Sequence, residues 1–333
     1  VKALAWLVAA VLAASLFSTP ATADAATVPT SGQLVSGLDV HDGMISKVGS
    51  TYFLYGTEYG CGFSWGTPGT PWCGFGVWTS KDKLNWTYGG DLFDPAALNA
   101  WRGLSWQDTC AKYSGGGCFN PRIVQRTDGK FILWFNAPED FSRLGANAYY
   151  AMGCTGPAGP CGGPGEVTNK PRLYTCSGNG DFSITYVDRA YIVCTMQNQT
   201  IRVEPLDRWW TNGTGGGLAN VGGLTGVESP AVFGAGPYLY MTYSGPNCGY
   251  CSGTGSAYLW SSTGMGGPWH QGGRFSSESC GGQPRSLGLV DGGVVTLIDL
   301  WTPSGAKNQA TASLWLEDLH LNFSWRLEPL TCE

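Results

Sequence analysis

Three carboxylates, Asp42, Asp181 and Glu228, stand at matching points of a recurring phrase. Each opens a run of alternating apolar residues that turns on a polar or glycine-rich stretch and returns as a second apolar or aromatic run. In residues 41–56 the phrase is His41-Asp42-Gly43, then Met44 to Val48, a Gly49-Ser50 turn, and Tyr52 to Tyr55. This is the pattern of a β-hairpin. Matching openings can bring one polar residue from each copy to a shared centre. Carboxylates crowded together there separate in proton affinity, so that one holds a proton while another stays ionised. A carboxylic acid that protonates a leaving oxygen, opposite a carboxylate that activates water, is the pair that cleavage of a glycosidic bond requires. Each residue also has a plainer reading. Asp42 before Gly43 suits a turn, and Asp181 after Gly178-Asn179-Gly180 suits an Asx turn. Glu228, entering an apolar run between Val227 and Ser229-Pro230, is harder to read as surface.

Two further copies open on other polar residues. One is Asn120-Pro121-Arg122, turning at Asp128-Gly129; the other is Gln283-Pro284-Arg285, turning at Asp291-Gly292-Gly293. Asn120, Arg122, Gln283 and Arg285 are therefore candidates to bind substrate hydroxyls, although Arg285 could instead pair a carboxylate. His41 is adjacent to Asp42 and could reach the same substrate, or strand alternation could turn it away. Trp65, Trp72, Trp106 and Trp301 are candidates to stack on sugar faces.

Five hairpins, each followed by more strand material, point to radial repetition, the means by which propeller blades avoid long exposed edges. The rivals are a large β-sandwich, which does not need the same polar opening five times, and a β-helix, whose coils would be shorter and more uniform. Helical periodicity is absent beyond the first 25 residues. The fold expected is all-β, a five-bladed β-propeller forming a single catalytic domain over residues 38–333. Segments 58–74, 101–117 and 154–165 would be the loops over its pocket, and 213–226 a flexible joint.

The chain of 333 residues is long enough for one large domain or two ordinary ones. Charged residues are 13% and the net charge is −5, which excludes the basic footprint of a nucleic-acid binder. Lys2, an apolar run from Ala3 to Phe17, and the small residues around Ala23-Asp24-Ala25 read as a secretory signal over 1–25. A polar leader follows over 26–37. No other stretch could cross a bilayer, so a secreted, extracellular monomer is expected, with no membrane or nucleic-acid partner after signal cleavage. Twelve cysteines fit an oxidising compartment. Their connectivity is not deducible from sequence; Cys61/Cys73, Cys110/Cys118, Cys154/Cys161, Cys176/Cys194 and Cys280/Cys332 are compatible pairs. Cys248-Gly-Tyr-Cys251 lacks a second half-site and reads as a loop disulfide rather than a redox or zinc motif.

These repeats resemble glycoside hydrolase family 43, five-bladed propellers that cleave arabinosyl, xylosyl and sometimes galactosyl linkages with inversion. The stretch from His41 to Tyr55 is similar to the family's first-blade motif, which implies that Asp42 is the general base. Asp181-Phe182-Ser183-Ile184 resembles the third-blade motif, implying that Asp181 tunes and orients the acid. Val227-Glu228-Ser229-Pro230-Ala231-Val232 resembles the fourth-blade motif, implying that Glu228 is the general acid. Inversion implies a base–acid separation of about 6.5–9.5 Å. Arg122 stands where the second-blade motif often has an acidic residue, and Gln283 where many members have a metal-associated histidine; both are features of the exo-β-1,3-galactanase branch. The first-blade aspartate, which that branch tends to lack, is present. The resemblance therefore implies a polysaccharide or oligosaccharide as partner, no cofactor and no metal ligand set, a channel calcium having no support. The function expected is release of arabinosyl, xylosyl or galactosyl units from plant-type polysaccharides such as arabinan, arabinoxylan or arabinogalactan. The alternative is a non-catalytic carbohydrate-binding or adhesion propeller.

Overall fold

Among the described residues five antiparallel blade sheets follow one another along the chain, each of them one hairpin repeat extended outward, beside a small two-stranded ribbon of Leu98–Asn99 and Leu104–Ser105. This computed structural model describes residues 32–140, 147–163, 168–245, 250–302 and 306–333. The expected signal over 1–25, the first half of the leader and Cys248 lie outside the described residues. From the inside out, the first blade is His41–Val48, Thr51–Thr57, Phe75–Ser80 and Thr87–Asp91. The second is Phe119–Gln125, Phe131–Asn136, Tyr149–Cys154 and Thr168–Asn169. The third has three strands, Phe182–Tyr186, Ala190–Thr195 and Ile201–Pro205. The fourth is Glu228–Ala235, Tyr238–Ser244, Ser256–Ser261 and His270–Ser276. The fifth is Gln283–Val290, Gly293–Leu300 and Ser313–Asp318, completed by Gln33–Val35 from the other end of the chain.

That last pairing, Gln33 opposite Leu316 to Val35 opposite Leu314, closes the ring by joining the two ends in one sheet. The propeller therefore begins inside 26–37, a segment whose composition reads as a leader. Three residues are too few for periodicity to announce a strand. Two other segments also differ from expectation. Residues 213–226 are not a free joint: bridges from Leu206 to Gly213 and from Val203 to Leu218 lay them along the third blade's outer edge. Trp106–Ala111 is a short α-helix whose N-cap Ser105 accepts from the Asp108 N–H. Its six residues are too few to show a 3.6-residue period.

Alternation along each strand makes the blades cohere. In the second blade Leu133 and Phe135 face the first blade's Tyr55, Phe75 and Val77, while Ile132 and Trp134 face the third blade's Phe182 and Ile192. Strands buried on both sheet faces read as nearly continuous apolar runs, as Phe131 to Phe135 does. The ring closes where Val295, Leu297, Leu314 and Leu316 pack on Ile45, Tyr52 and Leu54. The disulfides Cys61–Cys73, Cys110–Cys118, Cys154–Cys161, Cys176–Cys194 and Cys280–Cys332 form as the spacing allowed. Cys251 is also disulfide-bonded. Among the described residues no helix is long and apolar enough to cross a membrane.

Candidate active site

The innermost strands pack against one another around the axis, so their opening residues meet at one end. Their geometry there is not that of plain strands. A register shift interrupts the pairing between His41 and Met44, Phe119 and Arg122, Glu228 and Ala231, and Pro284 and Ser286. Such bulges turn a side chain away from strict alternation. Three residues in them are left-handed without being glycine: Asp42 (φ 59°), Asn120 (φ 57°) and Ser229 (φ 53°). Each costs about 1–3 kcal/mol and persists only where its surroundings over-determine it. At Asp42 they do, because its N–H donates to Asp299 Oδ2 at 2.9 Å. Gly43 beside it is obligatory, since a Cβ there would lie 1.5 Å from the Tyr55 carbonyl oxygen.

A cavity of about 390 Å³ opens over these residues. Asp42, Asp181 and Glu228 all line it, together with Asn120, Gln283, Arg285, Trp65, Tyr250 and Trp301. Its size is that of a small-ligand site. At its floor Arg285 grips Asp181 with both arms, Nη1 to Oδ2 at 2.7 Å and Nη2 to Oδ1 at 2.9 Å. The same Nη2 stands 2.9 Å from Asp42 Oδ1 and 2.9 Å from Asn120 Oδ1. Ser229 Oγ donates to Asp181 Oδ2 at 2.6 Å, and Asn120 Nδ2 donates to Oδ1 at 3.1 Å. Burial pushes the Asp181 carboxyl up, but Arg285, Ser229 and Asn120 outweigh it and hold it below the usual range. Asp42 goes the other way. Burial, reinforced by the Asp299 and Asp181 charges and only partly offset by Arg285, pushes it up to about 6. One carboxylate is thus locked in its ionised form while its neighbour exchanges a proton near neutrality.

Glu228 Oε1 accepts a hydrogen bond from Gln283 Nε2, and Gln283 Oε1 accepts one from Trp301 Nε1 at 2.8 Å. An indole N–H only donates, so it fixes which end of the amide faces Glu228. Tyr59 Oη reaches Asp42 Oδ2 at 3.3 Å and Tyr250 Oη at 3.2 Å. Tyr250 packs on Trp301 with ring centroids 5.0 Å apart and on Trp65 at 5.6 Å, forming an aromatic wall.

Two expected substrate contacts are corrected. His41 is fully buried behind the cavity, edge-on to Tyr59 and between Asp39 and Asp299 at 3.7 and 3.6 Å. The bulge that points Asp42 inward turns its neighbour away. Arg122 is also buried and absent from the lining. Its Nε donates to the Phe182 carbonyl at 3.2 Å, Nη1 to those of Asp42 and Gly43 at 2.7 and 2.8 Å, and Nη2 to that of Arg285 at 2.9 Å. It ties four blades together and has no donor left for a sugar. With guanidinium N–H groups already on these axial carbonyls, the residues do not suit a metal cation in the channel. Among the described residues no His/Cys/Asp/Glu group has metal-site geometry. Arg285, by contrast, does line the cavity, but its fork is committed to Asp181 and Asp42. Trp72 and Trp106 are core residues, whereas Trp65 and Trp301 border the cavity.

Reading openings alone misses Asp299, Tyr59 and Tyr250. A signal for the first was present. Asp299 ends the apolar run of a second strand and pairs across from Gln283, as Asn136 pairs across from Phe119 and Ser244 from Glu228. The tyrosines sit in loops whose paths the sequence does not disclose.

No protein-family model matches the chain, and no curated protein matches it in sequence. Solved structures do match in fold. An exo-β-1,3-galactanase from Phanerochaete chrysosporium, solved with β-1,3-galactotriose, superposes with a TM-score of 0.67 at 16% identity, over 90% of this chain and 67% of its own. An exo-β-1,3-galactanase from Clostridium thermocellum gives 0.67 at 17% identity, over 88% of this chain and 64% of its own. A family 43 β-1,3-galactosidase solved with galactodeoxynojirimycin gives 0.67 at 15% identity, over 88% of this chain and 97% of its own. Likeness at these identities is one of fold, not of activity. The chain has the five-bladed propeller architecture of the family 43 galactanases and galactosidases on which it superposes.

Proposed function

We propose that this protein is an exported, inverting glycoside hydrolase that releases galactosyl units from a β-1,3-linked galactan, with arabinosyl and xylosyl substrates as the next candidates. The observation that carries the reading is that Asp42 and Glu228 line one cavity, with a carboxylate poised near neutrality on one side and an amide-tethered carboxyl on the other. Asp42 takes a proton from water as the oxygen attacks the anomeric carbon, and Glu228 gives a proton to the departing glycosidic oxygen. Asp181 orients the acid through Ser229, the residue next to Glu228. Since Arg285 matches its charge, this orienting part replaces like-charge repulsion as its contribution. Tyr250, Trp301 and Trp65 offer apolar faces to the sugar ring. The galactosyl choice rests on the galactotriose and galactodeoxynojirimycin bound to the superposed structures, and on Gln283 at the fifth blade. Disulfide bonding in every blade supports export.

The test is hydrolysis of β-1,3-galactan beside aryl galactoside, xyloside and arabinofuranoside, with the product anomer followed by NMR. A product of inverted configuration is expected. Glu228→Gln should lose at least 10³-fold in kcat on an unactivated substrate while still binding oligosaccharide, a drop at the upper part of what one acid–base group contributes, about 10²–10⁴. Retained configuration, or full activity in that variant, would overturn the reading.

A further inference from the structure

Behind the cavity lies a line of ionisable groups that the proposed reaction does not use: His41 and Asp299, both buried, and Asp39, whose side chain is 24% exposed. His41 stands between the two carboxylates, Nε2 3.7 Å from Asp39 and Nδ1 3.6 Å from Asp299. Asp39 is anchored by the N–H groups of Tyr59 and Gly60. Asp299 is completely buried, and its two oxygens face different partners. Oδ2 accepts from the strained Asp42 N–H at 2.9 Å and lies 3.8 Å from Arg285 Nε, while Oδ1 looks towards His41.

We propose that Asp299 is a positioning residue for Asp42, holding its backbone in the left-handed bulge and drawing on the charge of Arg285 so that Asp42 remains able to accept a proton. The inference rests on the reading of Asp42 as the general base. The physical problem it answers is visible in the geometry. A carboxylate 2.9 Å from a guanidinium is ordinarily locked in its ionised form and makes a poor base. Arg285, however, faces three carboxylates at once: Asp181 and Asp42 with its Nη atoms and Asp299 with Nε. One positive charge is shared among three negative ones, and Asp42, met by one Nη atom where Asp181 is met by both, is the less compensated of the two that line the cavity. The upward displacement of Asp42, caused first by burial and reinforced against Arg285 by the Asp299 and Asp181 charges, agrees with this. The groups facing Asp42 are Arg285 and Asp299 from the fifth blade, Arg122 from the second, Asp181 from the opening of the third, His41 on its own strand, and Tyr59 backed by Tyr250. Among them Asp299 is the anion that also grips the Asp42 backbone, at its N–H, while the Arg122 cation grips the carbonyl. A merely structural Asp299 would support the bulge without affecting where Asp42 titrates.

The experiment follows the Asp42 carboxyl by ¹³C NMR in the full chain labelled at aspartate Cγ, the signal being identified by its loss in Asp42→Asn. In Asp299→Asn, which keeps an acceptor for the N–H and removes the charge, the Asp42 midpoint should fall by about one pH unit or more, the size of a neighbouring-charge effect. The acid limb of kcat/KM should move with it. Asp299→Ser, smaller and also uncharged, should shift the midpoint in the same direction and lower kcat further because the N–H contact is lost. A midpoint that stays within about 0.3 unit of wild type in the folded variants overturns the proposal. A chain that titrates as described and cleaves no glycoside leaves this inference standing and sinks the proposed function; an active glycosidase whose Asp42 ignores Asp299 does the reverse.

Discussion

Replacing Arg122 by methionine tests whether one guanidinium holds the propeller's axis. The side chain is buried among neutral acceptors: the carbonyls of Phe182, Asp42, Gly43 and Arg285, with Asn120 Oδ1 at 3.3 Å and the Pro121 carbonyl at 3.3 Å. Burial lowers its proton affinity to about 10, so it is still cationic at neutral pH. Methionine fills the space of the stem and supplies no donor. Each buried carbonyl left short of a partner costs about 1–3 kcal/mol, and four of them set an upper bound near ~12 kcal/mol. Against that, several kcal/mol return because a charge no longer has to be kept out of water. The net loss expected is about 3–5 kcal/mol, the carbonyl penalty less that return. For a propeller of this length unfolding entropy is roughly 0.6 kcal/mol per degree, so Tm should fall by about 5–8 °C in a calorimetric scan. Arg122→Lys, with a point charge and no planar fork, should fall between the two. A methionine variant melting within about 2 °C of wild type would refute the idea that the axis depends on this residue, because the carbonyls would then have found other partners.

Two further outcomes follow from the site. Trp301→Phe keeps the aromatic wall and removes the N–H that orients Gln283; kcat should drop by about 10–100-fold with KM nearly unchanged, the pattern of a lost transition-state contact. An unchanged kcat would show that Gln283 needs no such orientation. Asp42→Asn should melt at or above wild type at pH 7.5. Asp42 binds its proton more tightly folded, at about 6, than in an unperturbed chain, 3.8, so its ionisation removes stability as pH rises through that window, about 3 kcal/mol in all. Asp181 has the opposite sign: its depressed folded value adds stability above 3.8 that is lost only as pH falls through that lower value. Scanning Tm from pH 3.5 to 7.5 for both proteins separates the two, and an asparagine variant that melts lower at pH 7.5 while keeping the wild-type slope would refute the assignment.

The architecture was legible because it rests on local pattern. Alternating apolar arms around Gly49-Ser50, Asp128-Gly129 and Asp291-Gly292 specify hairpins, and hairpins recurring with a polar opening specify a ring of blades. The convergence of Asp42, Asp181 and Glu228 followed from the same logic, since equivalent positions of a radial repeat share a centre. What could not be read was the direction of single side chains near the axis. His41 and Arg122 are as polar as Asp42 and Gln283 and stand at the same openings, yet one is turned behind the cavity and the other is spent on backbone carbonyls. That choice is made by bulges, which insert one residue into the register and leave only a weak trace in a single chain's sequence. Arg285 could be read as donating to a sugar or pairing a carboxylate, and its binding of two carboxylates at once depends on where the third and first blades meet.

The repeat, the disulfide-compatible cysteines and the three carboxylates are legible in the chain alone, because each is a matter of residue type at short range. Folding adds that Gln33–Val35 closes the ring, that Asp299 stands under Asp42, and that Arg285 is shared among three acids. The physical reason is common to all three. They are contacts between residues far apart in the chain, and their energies depend on distance and burial, which no stretch of sequence carries until the blades have packed.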